Sequence, residues 1–156
     1  FTEAYDPANM LANWQTVDDP LAIEKPSVWT FHNHPTESRL AITQKASIRS
    51  TNAESFPSVA LYRDFDCGNG LLKVNVFSKL NAPLGIVFRY QDSKNFYSLE
   101  LFSADRSSMK LLKMVKGMST TMGVSTIPLM TSKWYRLSIV YDHDTIQVWL
   151  QRDNLH

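Results

Sequence analysis

Gly85-Ile86-Val87-Phe88-Arg89-Tyr90-Gln91-Asp92-Ser93-Lys94-Asn95-Phe96-Tyr97-Ser98-Leu99-Glu100-Leu101 is the stretch that decides the fold. Ile86, Phe88 and Tyr90 alternate with Val87 and Arg89. After a short polar turn, Tyr97, Leu99 and Leu101 alternate with Ser98 and Glu100. A period of two marks strands with one buried face, because successive side chains point to opposite sides of a sheet. The stretch is predicted to be an antiparallel strand pair. Ile86, Phe88 and Tyr90 are expected to point inward, with Arg89 and Glu100 pointing outward.

The alternation recurs on both sides of this pair. Over Leu71 to Ser78, Leu72, Val74 and Val76 alternate with Leu71, Lys73, Asn75 and Phe77. The preceding Cys67-Gly68-Asn69-Gly70 is a turn signal whose glycines accept positive φ. Trp134 to Tyr141 places Tyr135, Leu137, Ile139 and Tyr141 on one face, and Asp142-His143-Asp144 turns the chain. Thr145 to Leu150 then sets Ile146, Val148 and Leu150 against Thr145, Gln147 and Trp149, which completes a β-hairpin. Ser108 to Lys116 reads as a strand ended by Gly117, although Lys110, Lys113 and Lys116 recur every third residue as on a helix. Shorter strands are predicted at Trp14 to Val17, Val28 to Phe31, Arg39 to Thr43 and Val59 to Phe65. Pro7, Pro20, Pro26 and Pro35 and a polar stretch from Lys45 to Pro57 separate them. About ten short strands with regular turn signals imply an all-β, antiparallel sandwich or barrel.

Size and composition narrow the function classes. A chain of 156 residues is enough for one domain with a proper core and short for two. With 44% hydrophobic and 20% charged residues, the composition is that of an ordinary globular domain and argues against disorder. A net charge of +1 leaves no global field to attract nucleic acid or an anionic membrane, and the lysines at 110, 113 and 116 form one small cluster. No apolar run approaches the roughly 20 residues needed to span a bilayer. The one cysteine, Cys67, makes no internal disulfide and reads as a small buried apolar residue. The chain begins at Phe1 without a charged or apolar leader, so it reads as a segment of something longer or a processed product.

The order of features resembles a known family. Trp14 precedes Asp18-Asp19, and Pro26-Ser27-Val28-Trp29-Thr30 follows. The central Gly85 to Asp92 run, Asn95-Phe96-Tyr97, Leu111 to Gly117, and Lys133 to Ile139 with its hairpin complete the series. The chain is similar in these features to the concanavalin A-like lectin/glucanase superfamily, in its laminin G-like branch. It also resembles the version found in large secreted, multidomain adhesive proteins of protozoa. The resemblance covers nearly the whole chain and implies one jelly-roll sandwich domain over residues 1–156. It further implies a concave sheet that binds carbohydrate or protein and an extracellular setting. Members of the family usually continue into a closing strand. This chain stops at His156, so truncation, or a strand supplied from elsewhere, is expected.

The residues themselves limit the chemistry. Glycoside hydrolysis needs two carboxylates flanking the scissile bond. A glucanase-type Glu-x-Asp-x-x-Glu run is absent, Glu100 is alone on its strand, and Asp64 and Asp66 adjoin a glycine turn. There is no Gly-x-Ser-x-Gly for a nucleophilic serine. His32 and His34 form a His-x-His pair without a partner at metal-site spacing. No cofactor is required. The resemblance allows one calcium ion held through loop oxygens, for which Asp18, Asp19, Asp92, Asp142 and Asp144 are the available carboxylates. The methionines, four of them between 109 and 122, read as core filler or as an adaptable contact surface. The better lead is the polar side of the strands, which gives Arg89, Glu100, Arg136, Gln147 and Trp149 as ligand-binding candidates. An outward tryptophan beside such residues stacks a sugar ring and hydrogen-bonds its hydroxyls. A solvated face with cross-strand Arg–Glu pairing explains the same residues. A closing strand would also cover Trp149. The sequence reading is therefore a non-catalytic recognition module with a glycan or protein partner. The alternatives are a structural subunit of a larger assembly and a diverged carbohydrate-active enzyme.

Overall fold

Residues 12–19, 22–23, 26–33, 40–45, 49–50, 58–63, 68–79, 84–102, 108–127 and 129–152 are described by the computed structural model. Their ordered elements are thirteen strands. They are β1 (Trp14–Asp18), β2 (Ala22–Ile23), β3 (Trp29–Asn33), β4 (Leu40–Gln44), β5 (Arg49–Ser50), β6 (Ser58–Tyr62) and β7 (Gly70–Phe77). The others are β8 (Leu84–Asp92), β9 (Asn95–Phe102), β10 (Ser108–Val115), β11 (Met118–Thr126), β12 (Trp134–Asp142) and β13 (Thr145–Arg152). Every pairing among them is antiparallel. The fold is the all-β antiparallel sandwich that the alternation predicts. The chain divides into two compact units, Phe1–Asp66 and Cys67–His156.

In the first unit β1 pairs with β6, β2 with β5 and β3 with β4. The Trp14 ring meets Tyr62 edge-on at 5.3 Å and Phe31 at 6.1 Å. The Trp29 indole N–H donates to the hydroxyls of Ser27 and Ser58, each at 3.1 Å. The Ser27 N–H donates to the Asp18 carboxylate at 2.9 Å. These bonds satisfy polar groups that a half-buried tryptophan would otherwise strand away from water.

In the second unit the chain lays β7 in one sheet, builds the other entirely from β8 to β11, and returns with β12 beside β7. The strand orders are β11-β10-β9-β8 and β13-β12-β7. Leu99, Leu137 and Ile139 are fully buried between the sheets. Phe88 and Tyr141 join them, with Ile86 and Leu111 from one sheet and Val74 and Val148 from the other packed around. Phe88 stacks on Tyr97 at 5.7 Å and on Tyr141 at 5.9 Å, a ring contact that crosses the sandwich. Val76, Leu101, Leu129 and Tyr135 form a second cluster. Burial of each such side chain contributes about 1.5–3 kcal/mol.

Three two-residue turns close the hairpins. Lys116 (φ 51°) and Gly117 (φ 79°) between β10 and β11 both take positive φ, the geometry that matches strand twist. In the neighbouring turn the Asp92 carboxylate accepts the Lys94 N–H at 2.7 Å and the Asn95 side-chain amide at 3.0 Å. These bonds hold its carboxyl below the usual aspartate range. The Lys116 N–H donates to Asn95 Oδ1 at 3.1 Å and the Gly117 N–H to the Lys94 carbonyl at 3.0 Å, so the two turns are stapled together.

One inward assignment is corrected. The β8–β9 register shifts between Phe88 and Asp92, and Arg89 sits in that bulge at φ 49°. Between the Phe88–Tyr97 and Asp92–Asn95 pairs β8 places three residues, Arg89 to Gln91, against Phe96 alone, and the first extra residue, Arg89, reverses the faces at Tyr90. Tyr90 accordingly stacks on Phe96 at 6.0 Å, whereas Phe88 stacks on Tyr97. Phe96 and Tyr97 are consecutive on β9 and point to opposite faces. Tyr90 is therefore turned away from the core cluster.

Candidate functional site

The five predicted ligand-binding residues do not share one face. Arg89 is not on an outer face at all. From its bulge the guanidinium lies over the inward rings of Tyr141 (5.4 Å) and Tyr97 (6.0 Å). It donates to the carbonyl of Gly68 at 2.9 Å and, through both terminal nitrogens, to that of His143 at 3.0 and 3.1 Å. Asn69 Oδ1 accepts the His143 N–H at 2.9 Å and completes the cluster. Arg89 thus caps the turn end of the core and ties β8 to the start of β7 and to the β12–β13 turn. Its expected outward orientation, and the expected pairing with Glu100, give way to this cluster.

Glu100 lies on the outer face of the four-stranded sheet, opposite Gly85 on β8 and Lys110 on β10. Burial pushes its carboxyl up from the ordinary glutamate value, and Lys110 opposes that shift. Arg136, Gln147 and Trp149 belong to the other sheet. In a sandwich the two outer faces look in opposite directions, so Glu100 is separated from these three.

The outer face of β13-β12-β7 is where candidates converge. Tyr135, Leu137, Ile139 and Tyr141 are buried, which sends Arg136, Ser138 and Val140 outward between them. The register then builds cross-strand rows. Lys73, Ser138 and Trp149 form one, and Asn75, Arg136 and Gln151 the next. Leu71, Val140 and Gln147 form the row on the other side. Trp149 is 51% exposed, and Lys73, Arg136, Gln147 and Gln151 are exposed around it. Gln147 and Gln151 flank Trp149 along β13, each about 7 Å away by strand rise. At the edge Phe77 and Trp134 pack with ring centroids 5.0 Å apart. The result is an open sheet face with an aromatic plane on its edge strand β13 and amide, hydroxyl and cationic donors beside it. Such a surface covers the apolar face of a planar or ring-shaped ligand and hydrogen-bonds its periphery.

Lys73 and Asn75 are additions to the predicted set. Their outward alternation was visible in the sequence, but the β7–β12 pairing that sets them beside Arg136 and Ser138 joins distant stretches of chain and carries no local signal.

Other candidate chemistry is not assembled. Among the described residues no group of three His, Cys, Asp or Glu side chains comes together to hold a metal ion. Asp92 is engaged in its own turn, and Asp142 meets the ring of His143 at 2.6 Å. His34, Asp64, Asp66 and Cys67 lie outside the described residues. A small apolar cavity of about 20 Å³, lined by Val76, Leu84, Leu101, Leu129, Met130 and Tyr135, is water-sized. It is far too small for an organic ligand.

No protein-family model matches the chain, and no curated protein matches it. Among solved structures, it is similar to the carbohydrate-binding module CBM66 from Bacillus subtilis, with a TM-score of 0.56 and 16% identity over 88% of this chain and 73% of that one. At that identity the likeness is one of fold: both chains are β-sandwiches.

Proposed function

We propose that this chain is a non-catalytic carbohydrate-binding module of an extracellular adhesive protein, and that the outer face of β13-β12-β7 is its binding surface. The observation that carries the reading is Trp149, half-exposed on the outer face of the edge strand β13 and bordered by Gln147, Gln151, Ser138 and Arg136. Large aromatic side chains are normally buried or covered. One displayed among hydrogen-bonding side chains offers what a sugar needs, an apolar plane and polar edges. The likeness in fold to a protein titled a carbohydrate-binding module supports the reading. The span of that alignment, 88% of this chain, supports treating residues 1–156 as one domain.

The test is a glycan microarray followed by titration calorimetry, with wild type and Trp149→Ala. Stacking that covers about 100 Å² of apolar surface is worth roughly 2.5 kcal/mol. The variant should therefore bind at least tenfold more weakly, since tenfold corresponds to about 1.4 kcal/mol. Its melting temperature should stay within a degree or two of wild type. A folded wild-type protein that binds no glycan above background would sink the proposal.

A further inference from the structure

β11 is an open sheet edge. Among the described residues it pairs with β10 alone, at the end of the order β11-β10-β9-β8. An unpaired edge offers its backbone N–H and C=O groups to any strand that approaches, and proteins blunt it with charge, proline, short length or a bulge. β11 is nine residues long, Met118-Ser119-Thr120-Thr121-Met122-Gly123-Val124-Ser125-Thr126, with neither a charge nor a proline. Of the blunting devices it has only the bulge, in which Met122 is the extra residue between Thr121 and Gly123. Its apolar side chains are displayed as well. Met118 is 69%, Val124 59% and Met122 54% exposed, and Val115 at the end of β10 is exposed beside them. Apolar side chains gathered on one open strand mark an interaction surface.

We propose that β11 pairs antiparallel with β11 of a second copy of this chain, joining the two four-stranded sheets about a two-fold axis. The strand is suited to a copy of itself. Directly opposed residues on paired strands share a face. Through their partners on β10, Met118, Thr120, Gly123 and Ser125 lie on the core side of the sheet, and Ser119, Thr121, Val124 and Thr126 on the outer side. An axis between Thr121 and Met122 matches these faces. Met118 then meets the partner's Ser125, Ser119 the partner's Val124 and Thr120 the partner's Gly123. No charge enters the seam, and the lysines of β10 do not face one another. The row of Lys113 runs through Thr120 to the partner's Gly123 and the partner's Leu111. That of Lys110 runs through Val124 to the partner's Ser119 and the partner's Met114. The two β10 strands stand three strand spacings apart, roughly 14 Å, beyond a screening length of about 8 Å. The contact is isologous and closes on itself, so it ends at a dimer. Nine residues a side are fewer than half of the roughly 20–30 in a standard interface, so the dimer is reversible, with a dissociation constant of roughly 1–100 µM. A two-fold axis normal to the sheet leaves both Trp149 faces looking the same way, which suits a surface bearing many glycans. The dimer itself does not rest on the carbohydrate reading.

The experiment is sedimentation equilibrium of the whole chain from roughly 1 µM to 1 mM, with amide hydrogen exchange read at both ends of that range. The expected result is a monomer when dilute and a dimer when concentrated. Exchange at the outward-pointing amides of β11 should slow by about tenfold or more in the dimer, because the new ladder protects them. A Met122→Lys/Val124→Lys double variant sets like charges against each other along the seam and should weaken dimerisation by about tenfold or more. Both positions are exposed, so the dilute variant should melt within a degree or two of wild type. The exchange measurement on wild type keeps the test intact if the variant does not fold. A protein that stays monomeric throughout leaves the edge to a strand of a different chain and overturns the inference. So does a dimer whose β11 amides exchange as fast as the monomer's, or a folded double variant that dimerises with wild-type affinity, since either places the contact elsewhere.

Discussion

Arg89→Ala should destabilise the second unit by about 2–3 kcal/mol, because it removes a charged donor shared by two turns. The substitution removes donors from two carbonyls, those of Gly68 and His143, held at 2.9 to 3.1 Å. Hydrogen bonds from a charged group contribute about 1.5–3 kcal/mol when shielded, and these sit at solvent-lapped turns, so about 1 kcal/mol per carbonyl is appropriate. The guanidinium over Tyr141 and Tyr97 contributes about 0.5–1 kcal/mol more. The contact to Asn69 Oδ1 at 3.4 Å adds little. Backbone strain supplies an internal control. Arg89 has φ 49°, and a left-handed conformation costs an L-residue about 1–2 kcal/mol that glycine does not pay. After allowance for the greater freedom of unfolded glycine, Arg89→Gly should be about 0.5–1 kcal/mol less destabilising than Arg89→Ala. Arg89→Lys keeps the charge but not the fork that serves two carbonyls, and should fall between wild type and alanine. Urea unfolding followed by circular dichroism measures all three, and the alanine variant should melt roughly 4–12 °C lower. An Arg89→Ala variant within about 0.5 kcal/mol of wild type, or a glycine variant less stable than the alanine one, would refute the clamp.

Three further predictions follow from packing and burial. Leu137→Ala, at a fully buried position, should cost about 2–5 kcal/mol in chemical unfolding; a loss below about 1 kcal/mol would mean the sheets do not pack there. Gly85→Ala brings a Cβ into the Leu99 carbonyl oxygen on the adjacent strand, so it should lower stability by about 1–3 kcal/mol and disturb the β8–β9 amide resonances; unchanged spectra would contradict the register. Glu100 has a folded-state pKa raised above its unfolded value, so the unfolded chain releases this proton first and stability falls as pH rises through and above the ordinary glutamate value. Glu100→Gln should flatten that decline and be at least as stable as wild type at neutral pH; a variant whose unfolding free energy keeps the wild-type slope between pH 4 and 7 would show that Glu100 is not the group responsible.

The legible parts of the fold were those where one side of a strand is dry and the other wet. β8, β9, β12 and β13 announce themselves because apolar and polar residues alternate along them, as where Leu137 and Ile139 are fully buried while Arg136 and Ser138 beside them are not. β11 gave no such signal. Met118, Met122 and Val124 are exposed together with the threonines between them, so its residues show no inside–outside contrast. Its existence depends on pairing with β10, a tertiary fact. The bulge at Arg89 was hidden for a different reason. A strict alternation through Ile86, Phe88 and Tyr90 looks the same whether or not the backbone inserts a residue, and only the Phe96 and Tyr97 stacking partners reveal the reversal. At the candidate site, Arg136, Gln147 and Trp149 were found together because one local hairpin carries them. Lys73 was missed as their neighbour because β7 reaches β12 only after the whole of the other sheet has been built. Glu100 and Arg89 were grouped with them because alternation tells which side a residue faces and not which sheet it is in.

The central claim is that glycan meets the outer face of β13-β12-β7 at Trp149. Its most direct test is an ¹H–¹⁵N titration of the labelled protein with the strongest-binding glycan of the microarray. The Trp149 indole N–H and the backbone amides of Lys73, Arg136, Ser138, Gln147 and Gln151 should shift progressively and saturate together. Shifts that instead gather around Glu100 and Lys110, or around the Arg89–His143 cluster, with the Trp149 indole unmoved, would contradict it.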